Sequence, residues 1–301
     1  MKVIFKLFGL SLLFCGCSLN SLAVNALADA LSEGNGTAYS SDDDPQFVSE
    51  ALPFGLKTME MVLESTPEHY NLLVATAAGF VKYGYAFVLY PAEEFEYSDF
   101  KAWQVEKKRA KNFFLRARSY GLRALSVEFP SFSLQLRENP QKALKTVNEE
   151  NVPALYWTAA AWASALSMDK SDMTLVGDLP LIEAMMQRAL ELDESWNNGT
   201  LHEFFIVFAA SKPKAAANGY SVSKEHFERA MELNKSKSIS PLVSLAESVA
   251  IPQQNRDKYN LLLKQALDFD VDKFPERRLE NIIAQRRASR LLKNVDQYFI
   301  E

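Results

Sequence analysis

Cys17, near the N-terminus of this 301-residue chain, is the residue whose chemistry the sequence indicates most directly. Lys2 and Lys6 give the segment a basic start, a short apolar run follows, and Gly16 directly precedes the cysteine. Because the apolar run is too short for a stable membrane-spanning helix, the segment predicts a cleaved secretion signal. Cleavage after Gly16 would expose a thiol that accepts a diacylglyceryl group and an amine that is then acylated. The sequence therefore predicts a lipoprotein, and a plain secretory signal is the alternative.

The predicted lipid also fixes the compartment and the order of segments along the chain. Several acyl chains, at about 0.8 kcal/mol per buried methylene, would hold the protein on a membrane. Ser18 after the cysteine, in place of aspartate, favours the outer membrane of a Gram-negative cell, facing the periplasm. We expect residues 1–16 to be the signal peptide, residues 17–44 a lipidated N-terminus and tether with a short amphipathic helix at 20–31, and residues 45–301 the folded body.

Composition excludes several other chemistries. Both cysteines, Cys15 and Cys17, lie in the N-terminal segment, so a mature chain cut after residue 16 has no disulfide, thiol nucleophile or cysteine-bound metal. The formal net charge of −5 at pH 7 disfavours binding to nucleic acid. The short glycine pair at residues 34–36 lies in the predicted tether without a preceding strand, so it does not predict a phosphate loop. We therefore expect no cofactor and no nucleic-acid partner.

Two clusters that could support catalysis or bind a metal are interpreted as structural. His202 and Glu203 resemble the start of a helical zinc motif, but Ile206 occupies the place of the second histidine. We expect no metal, and a histidine on a helix surface or interface. The residues after Pro91 form an acidic stretch made of Glu93, Glu94, Glu96 and Asp99. Because no nucleophile accompanies it, we interpret it as a solvated connector, and we predict no catalytic residue and no enzyme.

Basic residues are concentrated on two predicted helices. They are Lys107, Lys108, Arg109, Lys111, Arg116, Arg118 and Arg123 on one helix, and Arg286, Arg287 and Arg290 on the other. Charges that surround a helix usually indicate solvation and ion pairs within the chain at four-residue spacing, and this is the interpretation we favour. A docking patch for an acidic partner is the alternative.

The elements that must carry all these residues are helices. From Gln46 onward, apolar residues recur at three- and four-residue spacing, and prolines cut the chain into helices of ordinary length. Four segments align on a small residue flanked by large apolar ones, at Ala124, Ala189, Ala230 and Ala266. Small residues let one helix pack closely on the next, as in tetratricopeptide-like hairpins. The sequence predicts an all-α fold of irregular tetratricopeptide-like helical hairpins in a two-layer solenoid-like array, with the last three alanines buried at helix crossings.

One apolar stretch, Asn71–Tyr90, has the length of a membrane span. Lys82 lies near its centre, where a charge is costly in lipid, and Gly79 and Gly84 are equally suited to close helix packing. We therefore predict a buried helix rather than a transmembrane one.

The aromatic residues supply the candidate ligand site. Tyr156, Trp157 and Trp162 alternate with small residues on one predicted helix, which leaves a groove beside the alanines. The groove could receive a neighbouring helix, with the tryptophans as core filler, or could line an apolar passage for a ligand. Further aromatic residues could close the same concave face, namely Tyr83, Tyr85, Phe204 and Phe205. The residues alone leave the two interpretations open.

Five segments between residues 90 and 295 resemble one known family in order and spacing. They are SDFKAWQVEKKRAKNFFLRARSYGLRAL, ALYWTAAAWASAL, LPLIEAMMQRALELDESWNNGTLHEFFI, KEHFERAMELN and RLENIIAQRRASRLL. They are similar to the TRAP transporter T-component (TatT) family, whose pattern includes a lipoprotein signal. The resemblance implies a helical, tetratricopeptide-like lipoprotein that forms a homotrimer and docks the solute-binding P-component of a tripartite ATP-independent periplasmic transporter. It implies no catalytic or ligand residues, because the family has none in common.

Two functions follow as expectations. The first is a non-enzymatic transport accessory that docks the P-component and receives or passes a small apolar or organic-acid solute. The second is an outer-membrane lipoprotein scaffold whose repeats assemble proteins without handling solute, as helical solenoids commonly do. An apolar passage would favour the first function, and a solid core with a polar groove would favour the second.

Overall fold

The computed structural model describes residues 23–32, 37–212 and 218–300, and every regular element in these ranges is helical. This confirms the predicted all-α class. The predicted lipidation site, Cys17, lies outside the described residues. The α-helices are α1 (23–32), α2 (Thr37–Ser40), α3 (Pro45–Ser65), α4 (Tyr70–Tyr83), α5 (Tyr90–Ala92), α6 (Phe100–Glu128), α7 (Phe132–Glu138), α8 (Pro140–Lys145), α9 (Val152–Met168), α10 (Met173–Gly177), α11 (Leu179–Leu192), α12 (Thr200–Ser211), α13 (Tyr220–Leu233), α14 (Ser240–Leu245), α15 (Arg256–Leu267) and α16 (Arg278–Lys293).

Shorter and wider helical turns connect these elements. Single 3-10 turns are Glu93–Phe95, Glu149–Asn151, Trp196–Asn198, Val271–Lys273, Pro275–Arg277 and Val295–Gln297. π-Helical segments at Gly84–Leu89 and Ala246–Ala250 extend α4 and α14 respectively, and residues 218–219 before α13 are also π-helical. The wide turns matter below, because residues that join the two halves of the molecule lie in or just after them.

Side-chain caps explain where several helices begin. Asp44 accepts hydrogen bonds from the backbone N–H groups of Gln46 and Phe47, and Pro45 occupies the first turn of α3, where its missing N–H costs nothing. Asp99 caps α6 in the same way, and Asn139 caps α8 ahead of a proline. At α8 the capping side chain directly precedes the proline of the first turn.

The N-terminal helix is attached to the folded body. α1 overlaps the predicted amphipathic segment at 20–31 and extends one residue beyond it, and its Ala28 is fully buried. Asp29 on the same helix lies 3.0 Å from Nε2 of His69, whose other ring nitrogen accepts the backbone N–H of Leu72 at the start of α4. One imidazole therefore links α1 to the first turn of α4.

Two hydrophobic cores organise the chain. The first core is formed by residues from α1 to α12, and its largest fully buried side chains include Phe114, Phe132 and Trp162. The second core is formed by residues from α12 to the C-terminal segment, and it includes Leu245, Tyr259 and Leu291. Helix α12 belongs to both, because Phe205 packs in the first core and its neighbour Ile206 in the second.

The repeat alanines are buried as predicted. Ala189, Ala230 and Ala266 are each at most 1% exposed, on α11, α13 and α15. Ala230 lies at a close crossing of α13 with the start of α12, since a methyl group added to Gly199 would come within 3.4 Å of its Cα. Space at this crossing is therefore limited to small residues.

The long apolar stretch is a core helix. The run Tyr70–Phe95 is long and apolar enough to cross a membrane, but 72% of its most apolar window is buried inside the protein. Leu72, Leu73 and Phe80 on α4 are almost fully buried in the first core. The predicted buried helix is confirmed.

Charged residues join the two cores, and they correct the prediction of a solvated connector at Glu93. Oε2 of Glu93 lies 2.5 Å from Nη1 of Arg287 and 2.5 Å from Nη2 of Arg290, and all three side chains are at most 14% exposed. Arg287 also makes two bonds to Glu247, at 2.6 and 2.8 Å, and its guanidinium lies 4.0 Å from the ring centroid of Tyr90. We call Glu93, Glu247, Arg287 and Arg290 the joint network. Their ion pairs span up to 197 residues, rather than four.

Candidate functional site

Lys82 lies in the last turn of α4, among buried apolar neighbours. Its side chain is exposed, and its Nζ lies 5.3 Å from the ring centroid of Trp157. Desolvation by surrounding protein lowers the pKa of Lys82, and the charge of Glu280 opposes that shift only partly. We interpret a side chain that is exposed and yet desolvated as part of the wall of a recess.

An aromatic wall lies beside this lysine. Tyr156 and Trp157 on α9 pack edge to face, with ring centroids 4.9 Å apart, and Trp196 lies 4.9 Å from Tyr156. Both α9 rings are half-buried, so each keeps a face toward accessible space. Burial raises the pKa of Tyr156, and the charges of Glu203 and Glu280 raise it further. The phenol is therefore neutral, and it lies within electrostatic reach of two carboxylates.

Those carboxylates form a polar wall that comes from the second half of the chain. Glu203 on α12 accepts a long hydrogen bond of 3.5 Å from the hydroxyl of Ser244 on α14. Glu280 on α16 is bonded to the hydroxyl of Ser238, and it pairs with Arg277 at 2.9 Å. Burial raises the pKa of Glu203 to about 7, and the neighbouring Glu280 contributes to that rise.

These side chains influence one another's charge across the boundary between the two cores, and we interpret them as bordering one space, which we call the central recess. Its residues are Lys82, Tyr156, Trp157, Glu203, Ser244 and Glu280. They come from α4 and α9 on one side and from α12, α14 and α16 on the other. An apolar aromatic surface with a few charged and hydroxyl groups is the usual composition of a small-molecule site.

The remaining aromatic residues of the predicted passage lie elsewhere. Trp162, five residues after Trp157 and roughly 140° around α9, is 1% exposed. Its ring lies 4.9 Å from the guanidinium of Arg118 and 5.5 Å from that of Arg137, which is paired with Asp178. The structure therefore does not bring the two indoles together.

The other four predicted residues pack against different partners. Tyr83 packs edge to face against Phe113, with centroids 5.5 Å apart, and Tyr85 receives a hydrogen bond from Ser164. Phe205 stacks on His226 at 4.9 Å, and Phe204 stacks on Phe208 at 5.3 Å.

The histidine of the incomplete zinc motif lies between α12 and α13. Nδ1 of His202 is 2.8 Å from Nδ1 of His226, and Nε2 of His202 is 3.1 Å from Glu194. The carboxylate of Glu194 also pairs with Arg229, which with His202 lowers its pKa to about 2. Desolvation, together with His202, lowers the pKa of His226 to about 4. Within the described ranges, no three metal-ligating side chains lie together.

A separate concavity of about 410 Å³ opens on the surface between α3 and α6. It is lined largely by polar and charged side chains, among them Lys57, Glu60 and Arg123. The carboxylate of Glu60 already accepts hydrogen bonds from the hydroxyl of Tyr120 at 2.9 Å and from the ammonium of Lys57 at 2.7 Å. This concavity is thus a mainly polar surface feature, and Tyr120 is the one aromatic side chain in its lining.

Comparison with known proteins decides the family. A sequence model of the TRAP transporter T-component family matches residues 41–299. The chain belongs to this family. An uncharacterized protein of Treponema pallidum (strain Nichols) is similar as well, at 27% identity over 311 residues, which cover 98% of this chain and 96% of that protein.

Membership confirms the resemblance drawn from the five sequence segments. A T-component is an accessory of a TRAP transporter rather than a member of an enzyme family, and it belongs at the membrane or in the periplasm. Sequence reasoning named Tyr156 and Trp157 as candidates, but it did not single out Lys82 or Glu203 for a candidate site. One signal was available, because a lone lysine inside a 20-residue apolar run must have a reason to be there.

Proposed function

We propose that this T-component is a non-enzymatic lipoprotein accessory of the outer membrane, facing the periplasm, that docks the solute-binding P-component of its transporter. In this proposal it receives or passes a small apolar or organic-acid solute through the central recess. The chain acts as a homotrimer anchored by lipid on Cys17, and its helices form a tetratricopeptide-like array.

The observation that carries the solute-handling part is the central recess itself. It lies between two cores, has an aromatic wall, and keeps Lys82 and Tyr156 free of hydrogen bonds and ion pairs within the described residues. A protein that only held others together would have no need of an unpaired, desolvated lysine beside an aromatic wall, because desolvating such a charge costs stability. Tyr156 and Trp157 are the proposed lining; roles in a passage for Trp162, Tyr83 and Phe205 remain predictions.

The alternative is an outer-membrane lipoprotein scaffold without solute handling. The buried Trp162 and the closely packed repeat alanines favour it, since both indicate a solid core rather than a channel. The two functions differ in what a change at the recess should do. A scaffold tolerates such a change, whereas a solute-handling accessory does not.

The test pairs two tryptophans of one helix. We expect Trp157→Ala to impair transfer of solute to the purified P-component, while thermal denaturation and calorimetric binding of the P-component stay close to wild type. We expect Trp162→Ala to lose about 3–5 kcal/mol of stability, because it empties a fully buried site. Loss of stability and of partner binding together in Trp157→Ala would leave only the scaffold.

The anchor and assembly are tested separately. Cys17→Ala should abolish labelling by a radioactive fatty acid and should release the protein from the outer-membrane fraction. The solubilised wild-type protein should have the mass of a trimer in light scattering. An unmodified N-terminus on mature wild-type protein would contradict the lipid anchor.

A further inference from the structure

Helix α3 has a row of large apolar side chains that the rest of the described chain leaves uncovered. Phe47, Phe54 and Met61 are 63%, 79% and 67% exposed. They recur every seven residues, so they lie on one face of the helix, and the smaller Ala51 and Thr58 lie between them. We call these five residues the apolar ridge. At 1.5 Å of rise per residue the ridge is about 21 Å long.

The ridge is a second apolar face of α3. The opposite face packs in the first core through Leu56 and Leu63, which are 4% and 3% exposed. Single exposed apolar side chains are normal on a soluble protein, but an aligned row of them usually marks an interaction surface. A helix enters the apolar groove of a partner with residues at this kind of spacing. The pattern of the ridge therefore indicates a surface for another molecule.

The C-terminal end of the ridge opens into the concavity of about 410 Å³ between α3 and α6. Met61 lines this concavity together with Glu64 and Pro67. Two cations in the same lining are already engaged, because Lys57 is paired within α3 and Arg123 donates to the carbonyl oxygen of Pro67 at 3.0 Å. Glu64 makes no ion pair among the described residues. An apolar wall beside a free carboxylate suits a long basic side chain, whose stem is apolar and whose tip is charged.

The charged flank of the ridge is mainly acidic. Glu50 and Glu64 are exposed beside the ridge, and neither forms an ion pair in the described part of the chain. Lys57 between them is paired with a glutamate of its own helix at 2.7 Å. Asp43 and Glu68, which precede and follow α3, are exposed and add two more negative charges. A complementary partner surface is therefore apolar with a basic rim.

The same charges distinguish three occupants of the ridge. A membrane fits poorly, because helices that lie on lipid usually have lysine and arginine on the polar face, and anionic lipid repels an acidic flank. A second copy of α3 fits poorly in the proposed homotrimer, because helices that meet at a threefold axis run parallel and place equal residues at equal heights. Glu50 would then face its own copies. A partner protein with a basic rim meets neither obstacle.

We propose that the apolar ridge is the surface on which the solute-binding P-component docks. The partner presents an apolar groove that covers Phe47, Phe54 and Met61, and a lysine or arginine of its rim reaches Glu64 in the concavity. This inference rests on the proposed function in taking the P-component as the partner. It adds the surface that the partner contacts and the chemistry that the partner must present.

The first experiment tests the apolar part of the surface. Purified P-component is titrated into the purified full chain in detergent, and calorimetry measures the affinity. We expect Phe54→Ser to weaken binding at least tenfold, because it removes the central side chain of the ridge. Its thermal melt should stay close to wild type, since Phe54 is exposed. Met173→Ser, at a 75% exposed position on α10, is the matched control and should bind as wild type.

The second experiment tests the acidic flank. Charges at the rim of an interface act mainly on the association rate and its dependence on salt. We therefore expect the double variant Glu50→Lys, Glu64→Lys to associate more slowly than wild type in stopped-flow measurements at low salt, with a smaller difference at high salt. Glu138→Lys, Glu149→Lys makes the same change in net charge at exposed positions outside α3, and it should associate as wild type.

Equal affinity of wild type and Phe54→Ser for the P-component would overturn the docking surface and leave the accessory function standing. Failure of the P-component to bind the wild type would overturn the accessory function, and the inference with it. Light scattering and binding to phosphatidylglycerol vesicles are measured on the same variants in a Cys17→Ala background. A lower mass of Phe54→Ser would assign the ridge to contacts between copies, and loss of vesicle binding would assign it to the membrane. Either result would overturn the inference.

Discussion

The two cores are stabilised in different ways. Of the largest fully buried side chains in the described ranges, Phe114, Phe132 and Trp162 are aromatic members of the first core, while Tyr259 is the member contributed by the second. The second core contains a further buried aromatic side chain, Phe299, and is otherwise made of alanine and aliphatic residues. We therefore expect the first core, which has more large apolar side chains, to be stable on its own, and the second to depend more on its attachment through α12 and the joint network.

The electrostatics of the joint network agree with a second core that depends on its attachment to the first. Desolvation acts to lower the pKa of Arg287, but the charges of Glu247 and Glu93 outweigh it and raise that pKa well above its ordinary value. Arg287 thus stays charged at any accessible pH. A buried and fully paired arginine fixes which side chains meet at the joint network. The loss of one partner would leave the remaining buried charges unpaired.

The largest expected effect comes from Arg287→Met. It leaves Glu93 and Glu247 buried without their shared cation, so we expect a loss of about 3–5 kcal/mol. Hydrogen exchange should show the loss first in α14 to α16, while α4 and α9 stay protected. Arg256→Met is the control, because its pair with Asp296 is exposed and should contribute less than about 1 kcal/mol. Uniform loss of protection across both cores would contradict their separate stability.

Trp162→Ala is the corresponding change within the first core. It removes a fully buried indole and the surface on which Arg118 and Arg137 lie, so we expect about 3–5 kcal/mol of destabilisation. Because the first core supports the second through α12, protection should fall in both. Chemical denaturation followed by hydrogen exchange measures this. Loss confined to α9 would show that the first core is less cooperative than its packing indicates.

Ala230→Phe tests the close crossing in the second core. A ring at Ala230 must displace the start of α12 near Gly199, and overpacking of this kind costs about 1–3 kcal/mol. Ala230→Ser, which adds one atom, should cost clearly less. A thermal melt of Ala230→Phe that equals wild type would place this alanine away from any crossing.

The carboxyl of Glu203 makes the free energy of unfolding depend on pH. Its folded pKa of about 7 exceeds the ordinary 4.5, so the folded state holds a proton that the unfolded state releases between those values. Stability from this group is therefore present at low pH and falls as pH rises from about 4.5 to 7. The difference corresponds to about 3 kcal/mol, which solvent screening reduces to about 1–2.

The measurement is urea denaturation of wild type and Glu203→Gln at pH 5 and pH 8. The wild type should lose about 1–2 kcal/mol more than the variant between the two pH values. Glu64→Gln, at an exposed position, should follow the wild type. Parallel curves for wild type and Glu203→Gln would show that this carboxyl is ionised throughout.

The smallest effect is expected from Tyr259→Phe. The hydroxyl of Tyr259 is buried in the second core without a hydrogen-bond partner among the described residues. Removing it relieves an unsatisfied polar group, so stability should rise by about 1 kcal/mol. Tyr120→Phe is the contrast, since its hydroxyl bonds Glu60 and its loss should destabilise. A lower melting temperature in Tyr259→Phe would reveal a partner for this hydroxyl.

Local features of the molecule could be predicted from the sequence. The helical class follows from apolar spacing, and the burial of Ala189, Ala230 and Ala266 follows from small residues recurring between large ones. The buried state of α4 follows from the lysine and glycines within an apolar run. Each of these signals lies within about 20 residues, which is the range over which periodicity carries information.

The joint network and the polar half of the recess could not be predicted in this way. Glu93 and Arg287 are 194 residues apart, and nothing in the spacing of either residue points to the other. Glu203 was considered only with His202, its neighbour in sequence, although its significance comes from Glu280 on α16. Contacts between cores depend on how helices fold back, and a single sequence does not encode that as a periodic signal.

The two wide turns set the direction in which the carboxylates of the joint network face. A π-helical turn has more residues per turn than an α-helical one, so it shifts every later side chain around the helix axis. Glu247 lies inside one such turn, and Glu93 follows the other. Deleting one codon from Gly84–Leu89 would restore a regular helix and rotate Glu93 by about 100°, away from Arg287. The union of the two cores would then depend on the width of two helical turns as much as on the charged residues themselves.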